Sequence, residues 1–141
     1  MVNVFVYNLK IYYVDKDAGG AFYSANYLKF LERARTDAIF SLGFTNTEIK
    51  NKFDIIFVVK SCNINYLKPL KFEDNLSVVS KFDKLTKTSF IMNQVIKRNN
   101  IIVTIAKVHI VSVSSEGKPK KIPKDLYAVS YTHLRAHETR G

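Results

Sequence analysis

The hydrophobic positions of this chain follow two different periods, and the change from one to the other divides the sequence into elements. Apolar side chains occupy alternate positions across residues 4–13, which predicts a β-strand. Across residues 25–42 they recur every three or four positions, which predicts an amphipathic helix about 27 Å long. Gly43 is expected to end this helix, because glycine readily adopts the left-handed conformation found after a helix C-terminus.

The rest of the chain predicts mainly strands. After a short helical or irregular linker near residues 46–52, strands are expected at 54–66, 76–84, 89–98 and 101–113. The segment Arg98-Asn99-Asn100 is suited to a tight hairpin turn between the last two strands. One long helix with about five strands predicts an α+β domain in which an antiparallel sheet packs on one helix.

Length and composition restrict the class of protein. A chain of 141 residues with 47% hydrophobic content is expected to fold as one globular domain. No apolar run approaches the roughly 20 residues of a membrane span. The N-terminus lacks the pattern of a signal peptide, and Cys62 is the only cysteine. These features predict a cytoplasmic protein without a transmembrane segment.

The net charge of +10 suits several anionic partners: nucleic acid, anionic lipid or a small molecule that carries phosphate. Nucleic-acid binding through the basic surface would depend steeply on salt concentration. However, the lysines are scattered, and the sequence has neither a recognition helix nor a base-stacking motif. Nucleic acid is therefore not an expected partner.

Candidate chemistry lies between the first strand and the long helix. Asp17 comes shortly before the helix, for which Ser24 is a suitable N-cap. A helix N-terminus offers unpaired backbone N–H groups that can hold an oxyanion, and a carboxylate opposite them can attack a carbonyl or activate water. Asp15 precedes Asp17 by two residues, but no further oxygen ligands follow at the spacing of a calcium loop, so no metal is expected.

A Cys–His nucleophile pair formed by Cys62 and His109 is a weaker alternative. Both residues fall within predicted strands, where no sharp turn or helix dipole is available to activate the thiol. We therefore expect neither residue to be catalytic.

The segment 12–39 resembles the active-site segment of hot-dog-fold acyl-CoA thioesterases. It is most similar to the 4-hydroxybenzoyl-CoA thioesterase family and, within it, to the bacterial branch associated with the Tol–Pal envelope system. The matching residues are Tyr12, Tyr13, Asp15, Asp17-Ala18-Gly19-Gly20, Tyr23, Ala25-Asn26-Tyr27 and Glu32-Arg33-Ala34-Arg35-Thr36. The resemblance implies one hot-dog domain, in which the sheet wraps around the long helix.

The resemblance also implies a reaction, the hydrolysis of an acyl-CoA to a free acid and CoA, which needs no cofactor. Asp17 would act as nucleophile or as general base, and the backbone at Ser24 and Ala25 would hold the oxyanion. Many relatives have histidine at the position of Ser24, whose hydroxyl cannot transfer protons near neutral pH. A non-catalytic module that binds acyl-CoA or acyl carrier protein is the alternative function.

Further site residues follow from the resemblance alone. The implied acyl-binding residues are Tyr13, Gly19, Tyr23, Asn26, Val59, Lys60 and Ser61. The implied residues for the nucleotide end of CoA are Lys84, Lys87, Thr88 and Ser89, whose ammonium and hydroxyl groups suit phosphate. The family also implies a homodimer joined at the sheet edges, with its sites between subunits, and pairing of dimers into a homotetramer. Acyl carrier protein is a further candidate partner.

The C-terminal residues 129–139 resemble one reading frame of a transposase-type sequencing adapter. We therefore expect the domain to comprise residues 1–128 and residues 129–141 to be a non-native tail. Two of the three histidines, His133 and His137, lie in this tail, so no mechanism is built on them.

Overall fold

A computed structural model describes residues 4–11, 24–69 and 74–139, including the side chains of all of these except 24–26 and 135–139. The elements follow in the order β1 (Phe5–Lys10), α1 (Ser24–Ser41), α2 (Asn46–Phe53), β2 (Ile56–Tyr66), β3 (Asn75–Leu85), β4 (Ser89–Arg98), β5 (Ile101–Val113) and α3 (Lys124–Thr139). The predicted α+β class is confirmed.

The five strands form one antiparallel sheet in the order β1-β3-β4-β5-β2. Strand β4 is central, and β1 and β2 are the two edges. The side chains of β3 and β4 alternate between buried and partly exposed positions, as expected for a sheet with one face on the core. The buried face packs on α1, whose small residues Ala34 and Ala38 are almost fully buried and permit a close approach.

Two turns use the residues that the sequence predicted. The chain leaves α1 through Gly43 at φ +98°, and the N–H of Phe44 bonds back to the carbonyl of Ile39. Strands β4 and β5 are joined by Asn99 and Asn100, both with positive φ, as a two-residue hairpin of type I′ requires. These turns set the direction of α1 and the register of the central strands.

The linker near residues 46–52, which was expected to be helical or irregular, is helix α2. Thr45 accepts a hydrogen bond from the backbone N–H of Glu48 (3.0 Å) and caps the helix start. The side chain of Ile49 is buried and forms the inner face of the helix. No helix in the described part of the chain is long and apolar enough to cross a lipid bilayer.

Helix α3 was not predicted, and the expected domain boundary after Ala128 falls inside it. Leu126 precedes that boundary, whereas Ser130 and Leu134 follow it, and all three side chains are buried. The ring of His133 lies 4.8 Å from that of Phe5 on β1. The helical period was not recognised because residues 129–139 were assigned to adapter sequence, an assignment that stays a prediction.

A chain that ends at Ala128 should still unfold cooperatively, because most of the buried side chains lie before α3. Its free energy of unfolding should fall by about 1.5–3 kcal/mol, the contribution of one buried leucine. Urea denaturation followed by circular dichroism measures both properties. The matched variant Leu134→Ala in the full chain should account for much of the loss, and absence of a cooperative transition in the shortened chain would contradict the predicted domain.

Candidate functional site

The described part of the predicted catalytic segment is the start of α1. The helix begins at Ser24, so the backbone N–H groups of Ser24 and Ala25 belong to its first turn, as does Asn26. These N–H groups have no acceptor one turn earlier within the helix, and a helix start of this kind suits an anion. Asp17 and the acyl-binding residues Tyr13, Gly19 and Tyr23 lie outside the described residues.

A contact between two aromatic rings shows where the first turn of α1 lies relative to the sheet. Tyr27 is buried and packs edge-on against Tyr66 at the end of β2, with ring centroids 4.7 Å apart. Tyr66 pairs with Thr104 near the start of β5. The helix start therefore lies at the end of the sheet where β2 and β4 finish and β5 begins.

The predicted CoA-binding residues lie at the other end of the sheet. Lys84 is near the end of β3, next to a β-bulge, and Ser89 is the first residue of β4. Lys87 and Thr88 form the turn between these strands, together with Thr86. The ten residues of β4 span about 30 Å, so one chain does not bring this turn and the start of α1 together.

The β3–β4 turn is held by its own hydroxyl groups and by two other segments. The hydroxyl oxygen of Thr86 accepts hydrogen bonds from the N–H of Ser89 (2.9 Å) and of Thr88 (3.3 Å). The carbonyl of Thr88 accepts from the N–H of Ser112, and that of Lys87 accepts from the N–H of Ile122. The backbone of this turn is therefore fixed, while the Lys87 ammonium forms no ion pair with the described residues.

The predicted residues Val59, Lys60 and Ser61 lie in the middle of the edge strand β2. The pairing register with β5 shifts between Val59 and Ser61, so Lys60 is the extra residue of a β-bulge. Val58 and Val59 are each 43% exposed. Exposed apolar side chains on an unpaired sheet edge are typical of a surface that another strand covers.

Val59 also lines a cleft of about 500 Å³ between α1 and the sheet. Phe57 and Phe90 form its apolar wall, with their rings packed edge-on at 5.4 Å. Glu32 and Arg35 come from α1. The cleft thus combines an apolar surface with charged groups, as small-molecule sites usually do.

A buried amide under α1 holds the Arg35 side chain. Gln94, on the central strand, donates from Nε2 to the carbonyl of Leu31 (3.0 Å) and to the hydroxyl of Ser80 (2.9 Å). Its Oε1 accepts a hydrogen bond from the Arg35 guanidinium (3.0 Å). Gln94 and Ser80 have no exposed surface. Each donor and acceptor of the Gln94 side chain therefore has a partner.

Arg35 and Cys62 influence each other electrostatically. Burial lowers the pKa of the Arg35 guanidinium below its usual value, while the nearby Cys62 and Glu32 act in the opposite direction. Burial raises the pKa of the Cys62 thiol, and Arg35 opposes this shift. Cys62 is therefore mainly protonated at neutral pH, which does not suit a nucleophile.

The structure gives a second reason to reject a Cys–His pair. His109 pairs with Ser61, and Cys62 pairs with Val108, so Cys62 and His109 point to opposite faces of the sheet. In the described part of the chain, no group of His, Cys, Asp and Glu side chains is placed to hold a metal ion.

Neither Gln94 nor the inward position of Arg35 was predicted from the sequence. Both carried a signal: Gln94 follows Phe90 and Met92 at alternate positions that face the core, and Arg35 is four residues after the buried Leu31. A polar residue at a core position needs a partner inside the protein. Pairing these two residues would have satisfied that requirement.

Several known proteins are similar to this chain. The model of the thioesterase superfamily matches residues 19–105. Acyl-CoA thioesterase YbgC of Haemophilus influenzae is 34% identical over 134 residues, which cover 94% of this chain and 98% of that protein. The acyl-CoA thioester hydrolase YbgC of Escherichia coli O6:H1 is 30% identical over 127 residues, or 89% of this chain and 94% of that protein.

Solved structures support the same fold. A probable thioesterase from Bartonella henselae has a TM-score of 0.81 at 30% identity and covers 85% of this chain and 99% of its own. A DHNA-CoA thioesterase from Staphylococcus aureus has a TM-score of 0.86 at 21% identity, covering 98% of this chain and 95% of its own. The predicted hot-dog fold is confirmed.

The variant Gln94→Met should lower the free energy of unfolding by about 1–3 kcal/mol, because it leaves the buried Ser80 hydroxyl and the Arg35 guanidinium without their partner. Urea denaturation measures this loss. Asn93→Met is the matched control: Asn93 lies on the same strand but faces away from α1, so a change within about 0.5 kcal/mol is expected. Equal losses in the two variants would show that the amide network contributes nothing specific.

Proposed function

This chain belongs to the thioesterase superfamily, and we propose that it is an acyl-CoA thioesterase, which hydrolyses the thioester to a carboxylic acid and CoA. The observation that carries the proposal is similarity over nearly the whole length of the acyl-CoA thioesterase of Haemophilus influenzae. The start of α1 adds a physical reason, because the first N–H groups of a helix suit the oxyanion of thioester hydrolysis.

Within this proposal Asp17 is the acid–base or nucleophilic group. As a base, its carboxylate takes a proton from water, and the resulting hydroxide adds to the thioester carbonyl. The N–H groups of Ser24 and Ala25 hold the oxyanion until the C–S bond breaks and the CoA thiolate leaves and is protonated. As a nucleophile, the carboxylate forms a mixed anhydride, and water then hydrolyses it.

Asp17→Asn should lower kcat by about 10²–10⁴-fold, the usual effect of removing a general base. Release of thiol from short, long and aromatic acyl-CoAs measures the rate and also defines the acyl preference. Asp15→Asn is the matched control, since Asp15 is two residues away and is expected to support the loop rather than react. Equal rates for wild type and Asp17→Asn would refute this mechanism, while acyl-CoA binding without thiol release would favour the non-catalytic module.

The positions of the proposed site residues favour a homodimer. The start of α1 and the Lys84–Ser89 region lie at opposite ends of one sheet. Two copies that pair their β2 edges around a twofold axis run antiparallel, so the β3–β4 turn of one comes to the end of the sheet where α1 of the other begins. The nucleotide end of CoA would then bind Lys84, Lys87, Thr88 and Ser89 of the partner, with Val59, Lys60 and Ser61 near the axis.

The edge strands supply a matched test of this dimer. Val58 on β2 and Val6 on β1 are both exposed on edge strands, 43% and 52% respectively. Val58→Asp should give a monomer with little activity, because it places like charges at the paired edge. Val6→Asp should keep at least the mass of a dimer in light scattering after size-exclusion chromatography. A Val58→Asp protein of unchanged mass and activity would contradict the proposed interface.

Other predictions remain part of the proposal. These are the association of dimers into a homotetramer, a cytoplasmic location and acyl carrier protein as an additional partner. The link to the Tol–Pal system also stays a prediction.

A further inference from the structure

Arg35 is a cation in the cleft between α1 and the sheet that no anion of the described residues neutralises. Its side chain lines the cleft, and its one hydrogen bond in the described part of the chain goes to the neutral Oε1 of Gln94. Two ion pairs in the described part of the chain involve Arg98 and Lys107 instead. A guanidinium has five N–H donors, so most of those of Arg35 remain available to a ligand.

Gln94 fixes the direction in which these donors point. The amide is itself held by Leu31 on α1 and by Ser80 on β3, on two different elements of the core. The guanidinium group of arginine is planar, and here one of its nitrogens is already held. Such a side chain loses little conformational entropy when it binds a ligand. Such anchoring is typical of side chains that recognise a ligand.

Partial burial makes an unpaired charge costly, and a ligand with an anionic group would remove the cost. Burial disfavours the cationic form of Arg35, as the direction of its pKa shift indicates. Buried charges in proteins are normally paired with an opposite charge. A carboxylate matches the planar fork of the guanidinium and can accept two hydrogen bonds from it.

Glu32 is the acidic group that faces Arg35, and it does not replace such a ligand. It lies on the same helix three residues earlier and lines the same cleft. Its charge raises the pKa of Arg35, after the larger effect of burial, but the two side chains form no ion pair. Because Glu32 is exposed, water screens its charge more than that of Arg35.

The rest of the cleft indicates the shape of the ligand. Phe57, Val59 and Phe90 provide an apolar surface for a carbon chain, and the volume of about 500 Å³ lies in the usual range of small-molecule sites. A purely apolar chain would contact this surface. However, it would displace water from the Arg35 guanidinium without offering it another hydrogen-bond acceptor. A chain that ends in a carboxylate satisfies both parts of the cleft.

We propose that Arg35 selects acyl groups that carry a carboxylate at the end distal to the thioester. This inference rests on the proposed acyl-CoA thioesterase function and specifies its substrate class. Arg35 takes no part in the bond changes. It holds the distal carboxylate through charge-assisted hydrogen bonds, and Gln94 acts as a positioning residue for it.

A matched pair of substrates tests the proposal: sebacoyl-CoA and decanoyl-CoA have the same acyl chain length, which suits the roughly 16 Å of helix between Ser24 and Arg35. They differ by a distal carboxylate against a methyl group. The wild-type enzyme should favour sebacoyl-CoA in kcat/KM by about tenfold or more, as expected for a charge-assisted contact. Arg35→Met should reduce this ratio to about one or below. Arg35→Lys should give an intermediate ratio, because it keeps the charge but loses the fork.

Two further variants predict opposite changes in the same ratio. Glu32→Gln removes the competing negative charge and should raise the preference for sebacoyl-CoA. Gln94→Met releases the guanidinium from its anchor and should lower that preference, and thermal denaturation confirms that each variant is folded at the assay temperature. If Arg35→Met does not fold, the Glu32→Gln result decides, because that side chain is exposed.

The possible failures are distinguishable. A wild-type enzyme that prefers decanoyl-CoA, or treats both substrates alike, overturns the role of Arg35, and so does a ratio unchanged in Arg35→Met or Glu32→Gln. Absence of a preference for the dicarboxylic substrate in the wild-type enzyme is also expected if a group of the partner subunit accepts the hydrogen bonds of Arg35. Failure to hydrolyse any acyl-CoA in the panel would instead overturn the proposed function itself.

Discussion

The carboxamide of Gln94 is the interaction on which the arrangement of helix and sheet depends. Apolar contacts set the distance between α1 and the sheet, but they are not directional and restrain sliding or rotation of the helix only weakly. Gln94 bonds the carbonyl of Leu31 and the side chain of Arg35, two points one helical turn apart. Because Gln94 lies on the central strand β4 and is also tied to Ser80, it fixes the helix against the most rigid part of the sheet.

This constraint reaches the proposed site through the length of the helix. Leu31 follows Ser24 by seven residues, or about 10 Å of helix. A helix held at Leu31 therefore presents its first N–H groups at a defined height above the end of the sheet. The contact between Tyr27 and Tyr66 defines the same height independently. A preorganised set of backbone donors is what stabilisation of an oxyanion requires, since donors that must first move give little rate enhancement.

Much of the fold was predictable from local pattern. The bounds of β4 and β5 were predicted to the residue, because alternation and the Asn99-Asn100 turn define them locally. The end of α1 was predictable from Gly43 for the same reason. Helix α3 was missed because its residues were assigned to an adapter.

The site was less predictable, because its geometry depends on contacts between residues distant in sequence. Arg35 and Gln94 are 59 positions apart, and only the packed structure shows that they meet. The separation of Ser24 from Lys87 also follows from topology. Local pattern indicates which residue types suit each chemistry, but it does not reveal that one chain places them at opposite ends of a sheet.

The network that stabilises the core also presents Arg35 to the cleft, which couples stability to the proposed selectivity. Replacing the guanidinium by an apolar side chain would remove a costly partly buried charge, but it would leave the Gln94 Oε1 without a donor. Replacing Gln94 would free Arg35 to turn towards water, and the carbonyl of Leu31 would lose its contact with the sheet. Neither residue can therefore change alone without a cost to the other. A relative with a different acyl preference would be expected to change both positions together, because only a joint substitution leaves no buried polar group unpaired.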